Sequence, residues 1–394
     1  MDFNGDRYYN LNRILLSTIG LWPHRYITLR QIQFVVLSFI LISVTFPQLT
    51  KIIMATNDVD LIIRILATAL PFMLFTVKYI TFYVVAENIT ELMLQIQNDW
   101  NALRDNYELE IIHQYAKAAR LFTASIATLI YVSLIVVMCI QYVPSFLDII
   151  VPLNESRHVE LLFEVEYFLD PEKYYHTIQF HLDVGLFFAA MTILSTESFC
   201  LSLAIHAFGM FKITSYRMER IIDKSESNTF MGKHCPFHDN IITAVNSHRR
   251  AIQFSEIVKS TFAVPYLALI LLGVTSSSVS LFLLFQVITT SSTVEDLIKS
   301  IIMVICHFVY MFATNYAGQK FIDYDADVYR KICSIQWYEA PLRTQKQILF
   351  IIQKTIKSYR VDVGGLYSPS LEGFTMLAST SLSYFTVLCS TKKQ

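Results

Sequence analysis

The chain has 394 residues, of which 54% are hydrophobic and only 16% are charged, and its net charge is −1 at neutral pH. Soluble domains carry about 25% charged residues, so this composition, with a mean hydropathy of +0.45, is too apolar for a soluble fold and gives no support for a nucleic-acid partner. The six cysteines form no CxxC pair, so we expect no disulfide framework. Residues 1–29 lack the apolar core of a cleavable signal peptide, so we expect no removed leader.

Seven segments are apolar enough to cross a membrane, since a spanning helix needs about 20 mainly apolar residues. They cover 31–54, 61–85, 118–143, 178–211, 256–289, 297–319 and 370–390. Pro47 should kink the first, the fourth and fifth are longer than a bilayer requires, and the seventh is the least apolar. The sequence therefore predicts an all-α integral membrane protein with seven transmembrane helices.

Lys and Arg residues are spread unevenly between the loops, and cytosolic loops are the ones that retain them. Of the 31 in the chain, 23 fall in the N-terminal segment and the second, fourth and sixth loops, seven fall on the other side, and Lys78 lies within a helix. This predicts a cytosolic N-terminus and an extracellular C-terminus in a multi-pass protein of the plasma membrane. The glycosylation acceptor at Asn154 falls on the extracellular side, where an acceptor must lie to be glycosylated. The acceptor at Asn88 falls on the cytosolic side.

The topology divides the chain into four parts. They are a cytosolic N-terminal segment at 1–30, a six-helix bundle at 31–319, a cytosolic loop with an anchor helix at 320–366, and the last helix with a short tail at 367–394. A G-protein-coupled receptor needs the opposite topology and has an NPxxY motif that is missing here, although that class stays open as an alternative. No Walker, GxSxG or HExxH motif supports an enzyme or a cofactor, and no internal repeat supports a transporter.

The seventh segment carries hydroxyl side chains at helical spacing, and they predict one polar stripe. The stripe consists of Thr375, Ser379, Ser383, Thr386 and Ser390, with Val387 one turn beyond Ser383. A polar stripe is unfavourable against lipid, and a wetted helix with one apolar ring suits a channel with a hydrophobic gate, provided that several chains enclose the pore. The alternative is that these hydroxyls pack against neighbouring helices and bond to the backbone.

The sixth loop contains an amphipathic helix at 341–358. Its apolar stripe consists of Leu342, Ile348, Leu349, Ile352 and Ile356, and lysines occupy other faces. The segment is too charged to span the membrane. We expect it to pack with helices of other chains, and the alternative is that it lies on the membrane surface.

Charged groups inside spanning helices are candidates for function. Lys78 and Glu197 both fall in the inner halves of their helices, so we expect them to pair, the alternative being that each meets water separately. The run from His234 to His238 contains two histidines and a cysteine, but its polar surroundings favour a solvated loop, and we expect no metal.

A ligand pocket should be concave and mostly apolar, with a few polar groups. Aromatic and methionine side chains in the outer halves of the helices suit small lipophilic molecules, because methionine adapts to irregular shapes. The candidates are Phe72, Met73, Tyr131, Val137, Cys139, Phe187, Phe188, Met191, Met303, His307 and Tyr310. Ordinary core packing is the alternative for most of them.

Short motifs along nearly the whole chain resemble those of insect odorant receptors, in the same order. They are Ile19-Gly20-Leu21-Trp22-Pro23, Asn315-Tyr316-Ala317-Gly318-Gln319 with Ile322-Asp323, the spacing Tyr329…Trp337-Tyr338…Pro341, and Ser370-Leu371-Glu372…Phe374 followed by Ser383-Tyr384-Phe385-Thr386-Val387-Leu388. Combined with the N-in seven-helix topology, they identify the chain as resembling that family.

The resemblance implies a ligand-gated, non-selective cation channel, built as a heterotetramer of odorant-binding subunits with a shared co-receptor. A small volatile hydrophobic ligand would bind in the outer half of the bundle, and the last helix would line the pore. Val387 would lie at the apolar gate, whereas Thr391 is polar where the co-receptor has a second apolar gating residue. A gustatory receptor channel of the same superfamily is the nearest alternative.

The resemblance also implies a cytosolic anchor that holds the subunits together. Its assembly residues would be Trp337, Tyr338, Pro341, Leu349 and Ile352. The fourth loop, at about 212–255, lacks the long insertion of the co-receptor, so the chain is expected to be a ligand-tuning subunit in the membrane of a sensory neuron's dendrite.

Overall fold

The structure, a computed structural model, describes residues 6–23, 27–55, 58–150, 161–170, 173–222, 236–290 and 293–392. These residues form ten α-helices: α1 Asp6–Thr18, α2 Ile27–Met54, α3 Val59–Val84, α4 Ala86–Ala102, α5 Asn106–Ile150, α6 Tyr175–Glu219, α7 Pro236–Thr289, α8 Val294–Ser334, α9 Leu342–Thr355 and α10 Leu371–Lys392. The described residues contain no β-sheet, only an isolated bridge between Val363 and Tyr367.

The predicted all-helical membrane fold is confirmed. Each of the seven predicted segments coincides with a helix or lies within one, namely α2, α3, α5, α6, α7, α8 and α10. By length and composition alone, six of these are able to cross a membrane, and α10 falls outside that set. Its 22 residues are sufficient in length, but its many hydroxyls lower its mean hydropathy.

Three helical regions were not predicted. The segment 86–117 was expected to be mostly loop, yet α4 occupies most of it and α5 begins at Asn106. α4 buries Ile89, Leu92 and Ile96 on one face, so it is an amphipathic helix and too polar for a search based on apolar runs. The same holds for α1, which lies in the segment expected to precede the bundle and buries residues including Leu16 against α5 and α6.

The bundle has two distinct ends. We call one the short-loop end: it contains the C-termini of α2, α5 and α7 and the N-termini of α3, α6 and α8. We call the other the long-helix end, where α5 to α8 extend beyond the other spanning helices and α1, α4 and α9 pack on them. The extensions of α6 and α7 agree with the sequence analysis, in which the fourth and fifth segments are longer than a bilayer requires, whereas that of α5 was not expected.

Ion pairs tie the extended helices together at the long-helix end. Glu108 of α5 binds Arg217 of α6 through both carboxylate oxygens, at 2.5 and 2.7 Å. Asp99 of α4 accepts from Arg250 of α7 at 2.7 Å. Since bidentate and charge-assisted pairs are the stronger ones, these pairs stabilise the contacts of α5 with α6 and of α4 with α7 at this end.

α6 is the central helix of the fold. It packs against α1, α2, α3, α5, α7 and α8, and many of its side chains are buried. A Cβ on Gly185 would lie 2.3 Å from a methyl carbon of Val44, so α2 approaches α6 closely at this point. Because of these contacts, a movement of α6 would displace side chains of most other helices in the bundle.

Candidate functional site

α10 packs on the bundle through one face. Ser381 is fully buried, and its hydroxyl lies 2.7 Å from that of Ser277 in α7, while Ser278 donates to the Ser381 carbonyl at 3.1 Å. Leu377, one turn earlier, is buried on the same side. The sequence analysis missed Ser381 as a contact residue, although the hydroxyl run at 275–278 in α7 was a usable signal.

The predicted hydroxyl stripe of α10 lies on the opposite, exposed side. Its five members, Thr375, Ser379, Ser383, Thr386 and Ser390, are all exposed in the single chain. Four of them also donate to backbone carbonyls of their own helix, as Ser383 does to Ser379 at 2.9 Å. The stripe therefore does not pack against helices of this chain. Val387 is 56% exposed, and Thr391 is exposed as well.

A buried asparagine of α8 fixes the start of α10. Asn315 Oδ1 accepts hydrogen bonds from the Tyr367 hydroxyl and from the backbone N–H of Ser370, the latter at 3.2 Å. Burial raises the pKa of Tyr367 to about 12, although the bond to Asn315 acts in the opposite direction. The phenol is therefore protonated at neutral pH and able to act as the donor.

The next turn of α8 touches the same junction. A Cβ on Gly318 would lie 2.3 Å from the carbonyl oxygen of Pro369 and 2.4 Å from its Cβ. Gln319 accepts from the backbone N–H of Leu371, the first residue of α10, at 3.4 Å. The Asn315–Gln319 motif thus forms a mechanical connection between α8 and α10.

Lys78 and Glu197 are in contact, as the sequence analysis predicted. Their side chains form an ion pair between α3 and α6, and the Tyr310 hydroxyl of α8 donates to Glu197 Oε1 at 2.7 Å. The Lys78 ammonium also lies 3.3 Å from that hydroxyl. The three groups link α3, α6 and α8, so Tyr310 lies at the level of the ion pair and not nearer to the short-loop end.

Reversing one charge of this pair should impair the receptor, and reversing both should restore it. Lys78→Glu or Glu197→Lys leaves like charges in contact in a buried place, where loss of one partner alone costs about 3–5 kcal/mol. We expect each single variant to lose most of its surface expression, measured by surface biotinylation, and the double variant to recover much of it.

The control is Lys299→Glu, which reverses a charge in the exposed Lys299–Glu295 pair. Such surface pairs are worth about 1 kcal/mol at most, so its expression should be close to that of the wild type. A double reversal as poor as the single ones would show that the contact between Lys78 and Glu197 contributes little.

The ten side chains predicted to bind ligand, leaving Cys139 aside, fall into separate places. One group, from α3, α5 and α6, belongs to the main hydrophobic core, which extends through most of the bundle, or contacts it as Tyr131 does through Met191: Phe72, Tyr131, Phe187, Phe188 and Met191. In it the Tyr131 hydroxyl contacts the Met191 sulfur at 3.1 Å, and the rings of Phe187 and Phe188 lie 5.3 Å apart.

A second group borders the distal half of α10. Met73 and Met303 pack in a cluster that also contains Phe385 and Leu388 of α10. His307 belongs near this group, since it binds Ser276 of α7 at 2.7 Å. Val137 is half-buried and Cys139 exposed on α5.

Two cavities lie at the long-helix end, away from these groups. One, of about 180 Å³, is lined by Gln95, Asn98, Asp99, Arg250 and Gln253. The other, of about 750 Å³, is lined by Glu256, Ile356, Lys357, Ser358, Tyr359, Arg360 and Asp362. Neither is lined by a side chain predicted to bind ligand.

α9 has two apolar faces and not the single stripe that was predicted. Ile348 and Ile351 are buried against this chain, whereas Leu342, Leu349 and Phe350 are exposed. Ile356 is exposed just after the helix, and Ile352 is half-buried. The predicted stripe is thus divided between an internal contact and an apolar surface of the kind that marks an interaction site.

The predicted assembly residues divide in the same way. Trp337 and Ile352 pack partly against the core of their own chain. Tyr338, Pro341 and Leu349 are exposed and free to meet another surface. Asn154 lies outside the described residues, as do His234 and Cys235 of the run that was considered as a metal motif. Among the described residues, no group of His, Cys, Asp or Glu is suited to hold a metal ion.

The family model described as 7tm Odorant receptor matches residues 58–382. No curated protein matches the sequence.

Two solved structures share the architecture. The insect olfactory receptor OR5 from Machilis hrabei in complex with eugenol is 14% identical, with a TM-score of 0.76 over 98% of each chain. The same receptor, in a structure whose description includes no ligand, is 14% identical with a TM-score of 0.70 over 97% of each chain. At this identity, the likeness concerns the fold.

Proposed function

The chain belongs to the 7tm odorant receptor family, and we propose that it is the ligand-tuning subunit of a ligand-gated, non-selective cation channel. The observation that carries the proposal is the geometry of α10. One face is fixed to α7 through Ser381, while the hydroxyl stripe faces away from its own chain. Hydroxyls turned away from the bundle suit a water-filled pore between subunits better than lipid.

Several chains are needed to enclose such a pore. We infer a heterotetramer with the family's co-receptor, in which one α10 from each subunit surrounds the axis. The exposed apolar face of α9, with Leu349 and Phe350, offers a surface on which neighbouring subunits would assemble. Its position at the long-helix end leaves the spanning helices free to move.

The ligand is proposed to be a small hydrophobic volatile bound toward the short-loop end. The aromatic and methionine cluster around Phe187, Phe188 and Met191 supplies adaptable apolar surface. A solved structure of the same architecture is in complex with eugenol, a small aromatic compound. The short-loop end is proposed to be extracellular and the long-helix end cytosolic, as the Lys and Arg distribution indicates.

Gating is proposed to be a shift between closed and open arrangements, biased by a ligand that binds the open one better. α8 carries His307, Tyr310 and the Asn315–Gln319 motif within 13 residues. A ligand-induced displacement of α8 would therefore reach the start of α10 directly through Asn315 and Gly318. A tenfold preference for the open state corresponds to about 1.4 kcal/mol, so modest contacts would suffice.

The test is to record from excised, nucleotide-free patches of cells that express this chain with and without an insect co-receptor. Volatiles should evoke a non-selective cation current only when both subunits are present. The co-receptor expressed alone is the control for current that does not depend on this chain. Responses that occur only in intact cells and require GTP would refute the channel proposal.

A further inference from the structure

A buried carboxylate near the short-loop end of α6 has only neutral partners among the described residues. Asp183 Oδ2 accepts from the Tyr142 hydroxyl at 2.8 Å, and Oδ1 accepts from Gln179 Nε2 at 3.0 Å. No Lys or Arg of the described residues forms an ion pair with Asp183, which is 6% exposed. The sequence analysis did not single out this residue, although ionisable groups within spanning helices are functional candidates.

The hydrogen bonding around Asp183 is incomplete. An ionised carboxylate offers about four acceptor positions, and only two are occupied here. The neighbouring amide of Gln179 is 1% exposed, and its Oε1 is buried without a hydrogen-bond partner. Its Nε2 is directed toward Asp183 and toward Gln141, whose own Nε2 is likewise buried without a partner, and this orientation leaves the Gln179 oxygen as an acceptor. Buried acceptors of this kind are costly unless a donor reaches them.

The polar cluster adjoins the apolar cluster proposed to hold ligand. Gln179, Asp183 and Phe187 are spaced four residues apart and so lie along one ridge of α6. Met191 continues that ridge and contacts Tyr131 of α5, while Tyr142 of α5 contacts Asp183. The seam between α5 and α6 thus changes from acidic to apolar along its length.

We propose that Asp183, Gln179 and Tyr142 bind the ammonium group of a small lipophilic primary amine, whose hydrocarbon part extends toward Phe187 and Met191. This inference rests on the proposed function and names the ligand class for the same seam. A primary ammonium has three N–H donors, which match the free positions of Asp183 and the Gln179 oxygen. The Tyr142 ring, next to the Asp183 carboxylate, adds an aromatic face that attracts a cation through a cation–π interaction.

Other occupants suit the cluster less well. A divalent metal prefers six or more oxygen ligands and commonly several carboxylates, whereas this cluster has one carboxylate and one free amide oxygen. A neutral alcohol has a single donor and gains no charge-assisted hydrogen bond. An anion would be repelled by Asp183.

The first test measures thermal stabilisation of the purified full-length receptor by n-hexylamine and by 1-hexanol, which have the same chain length. Hexylamine should stabilise the wild type at lower concentration than hexanol. In Asp183→Asn, the hexylamine concentration needed should rise by about tenfold or more, the value of one charge-assisted hydrogen bond. Asp183→Glu should keep the preference for the amine, which also guards against a variant that merely folds poorly.

The matched control is Glu166→Gln, because Glu166 lies at the same end of the bundle but already pairs with Lys51 at 3.3 Å. It should leave the hexylamine response unchanged. Equal binding of amine and alcohol by the wild type, or an equal loss of both in Asp183→Asn, would overturn the inference. Currents recorded with the co-receptor separate the two proposals. If the receptor binds the amine but no current flows, the proposed channel function is refuted. If alcohols evoke current and the receptor shows no preference for the amine, the proposed amine site is refuted.

Discussion

Gly318→Ala should abolish most of the ligand-evoked current while leaving the receptor at the cell surface. The added Cβ would lie 2.3 Å from the Pro369 carbonyl oxygen and 2.4 Å from the Pro369 Cβ, so the segment leading into α10 must shift. Overpacking of this kind costs about 1–3 kcal/mol, comparable with the free energy that drives gating in our proposal. We expect peak current per surface receptor to fall by about tenfold or more.

The measurement is whole-cell current with the co-receptor, divided by surface biotinylation of the same cells. Gly273→Ala in α7 is the matched control, because a Cβ there meets no atom within 4 Å. It should give normal current. Full current from Gly318→Ala would show that the α8–α10 junction tolerates displacement and does not transmit gating.

A second variant separates steric from hydrogen-bonding contributions. Asn315→Ala removes the acceptor for the Ser370 N–H and the Tyr367 hydroxyl without adding bulk. A buried donor left without a partner costs about 1–3 kcal/mol, so this variant should also reduce current. If only Gly318→Ala has an effect, close packing and not hydrogen bonding couples α8 to α10.

The spanning helices were predictable because long apolar runs have few other interpretations. α4 was not, since a helix that buries Ile89, Leu92 and Ile96 along one face and carries polar residues on the other resembles a polar loop when hydropathy is averaged. The stripe of α10 was visible as a period of three and four residues. Ser381 was hidden among equally polar neighbours, and its burial and its contact with Ser277, 104 residues away, distinguish it in the structure.

The parts of the site that depend on distant packing were beyond local sequence patterns. The Asn315–Gln319 motif was recognisable, but its contact with Pro369 and Leu371 could not be predicted, because these residues are distant in the chain and meet only in the folded structure. Asp183 was missed because it lies only five residues from the outer end of its predicted segment, where an acid is expected to reach water. Lys78 and Glu197 were paired correctly because both were expected at similar depth, a constraint that the bilayer provides.

Val387→Ser should raise the current that flows without ligand. Val387 is the large apolar side chain that we place at the constriction, it is exposed in the single chain, and it lies one turn beyond Ser383 of the hydroxyl stripe. A hydrophobic constriction closes by losing water, so a hydroxyl at this position should favour the hydrated state. We expect a several-fold increase in basal cation current and a smaller relative response to ligand, recorded with the co-receptor in excised patches.

The matched control is Leu382→Ser, which makes the same change of polarity at another exposed apolar residue of α10. Five residues correspond to about 140° of rotation around the helix, so Leu382 should face away from the constriction and its substitution should leave basal current near that of the wild type. Equal leak from both variants would indicate general loosening of α10, and no leak from Val387→Ser would place the gate elsewhere. An increase confined to Val387→Ser would mean that this subunit contributes its own apolar side chain to the gate, even though Thr391 is polar.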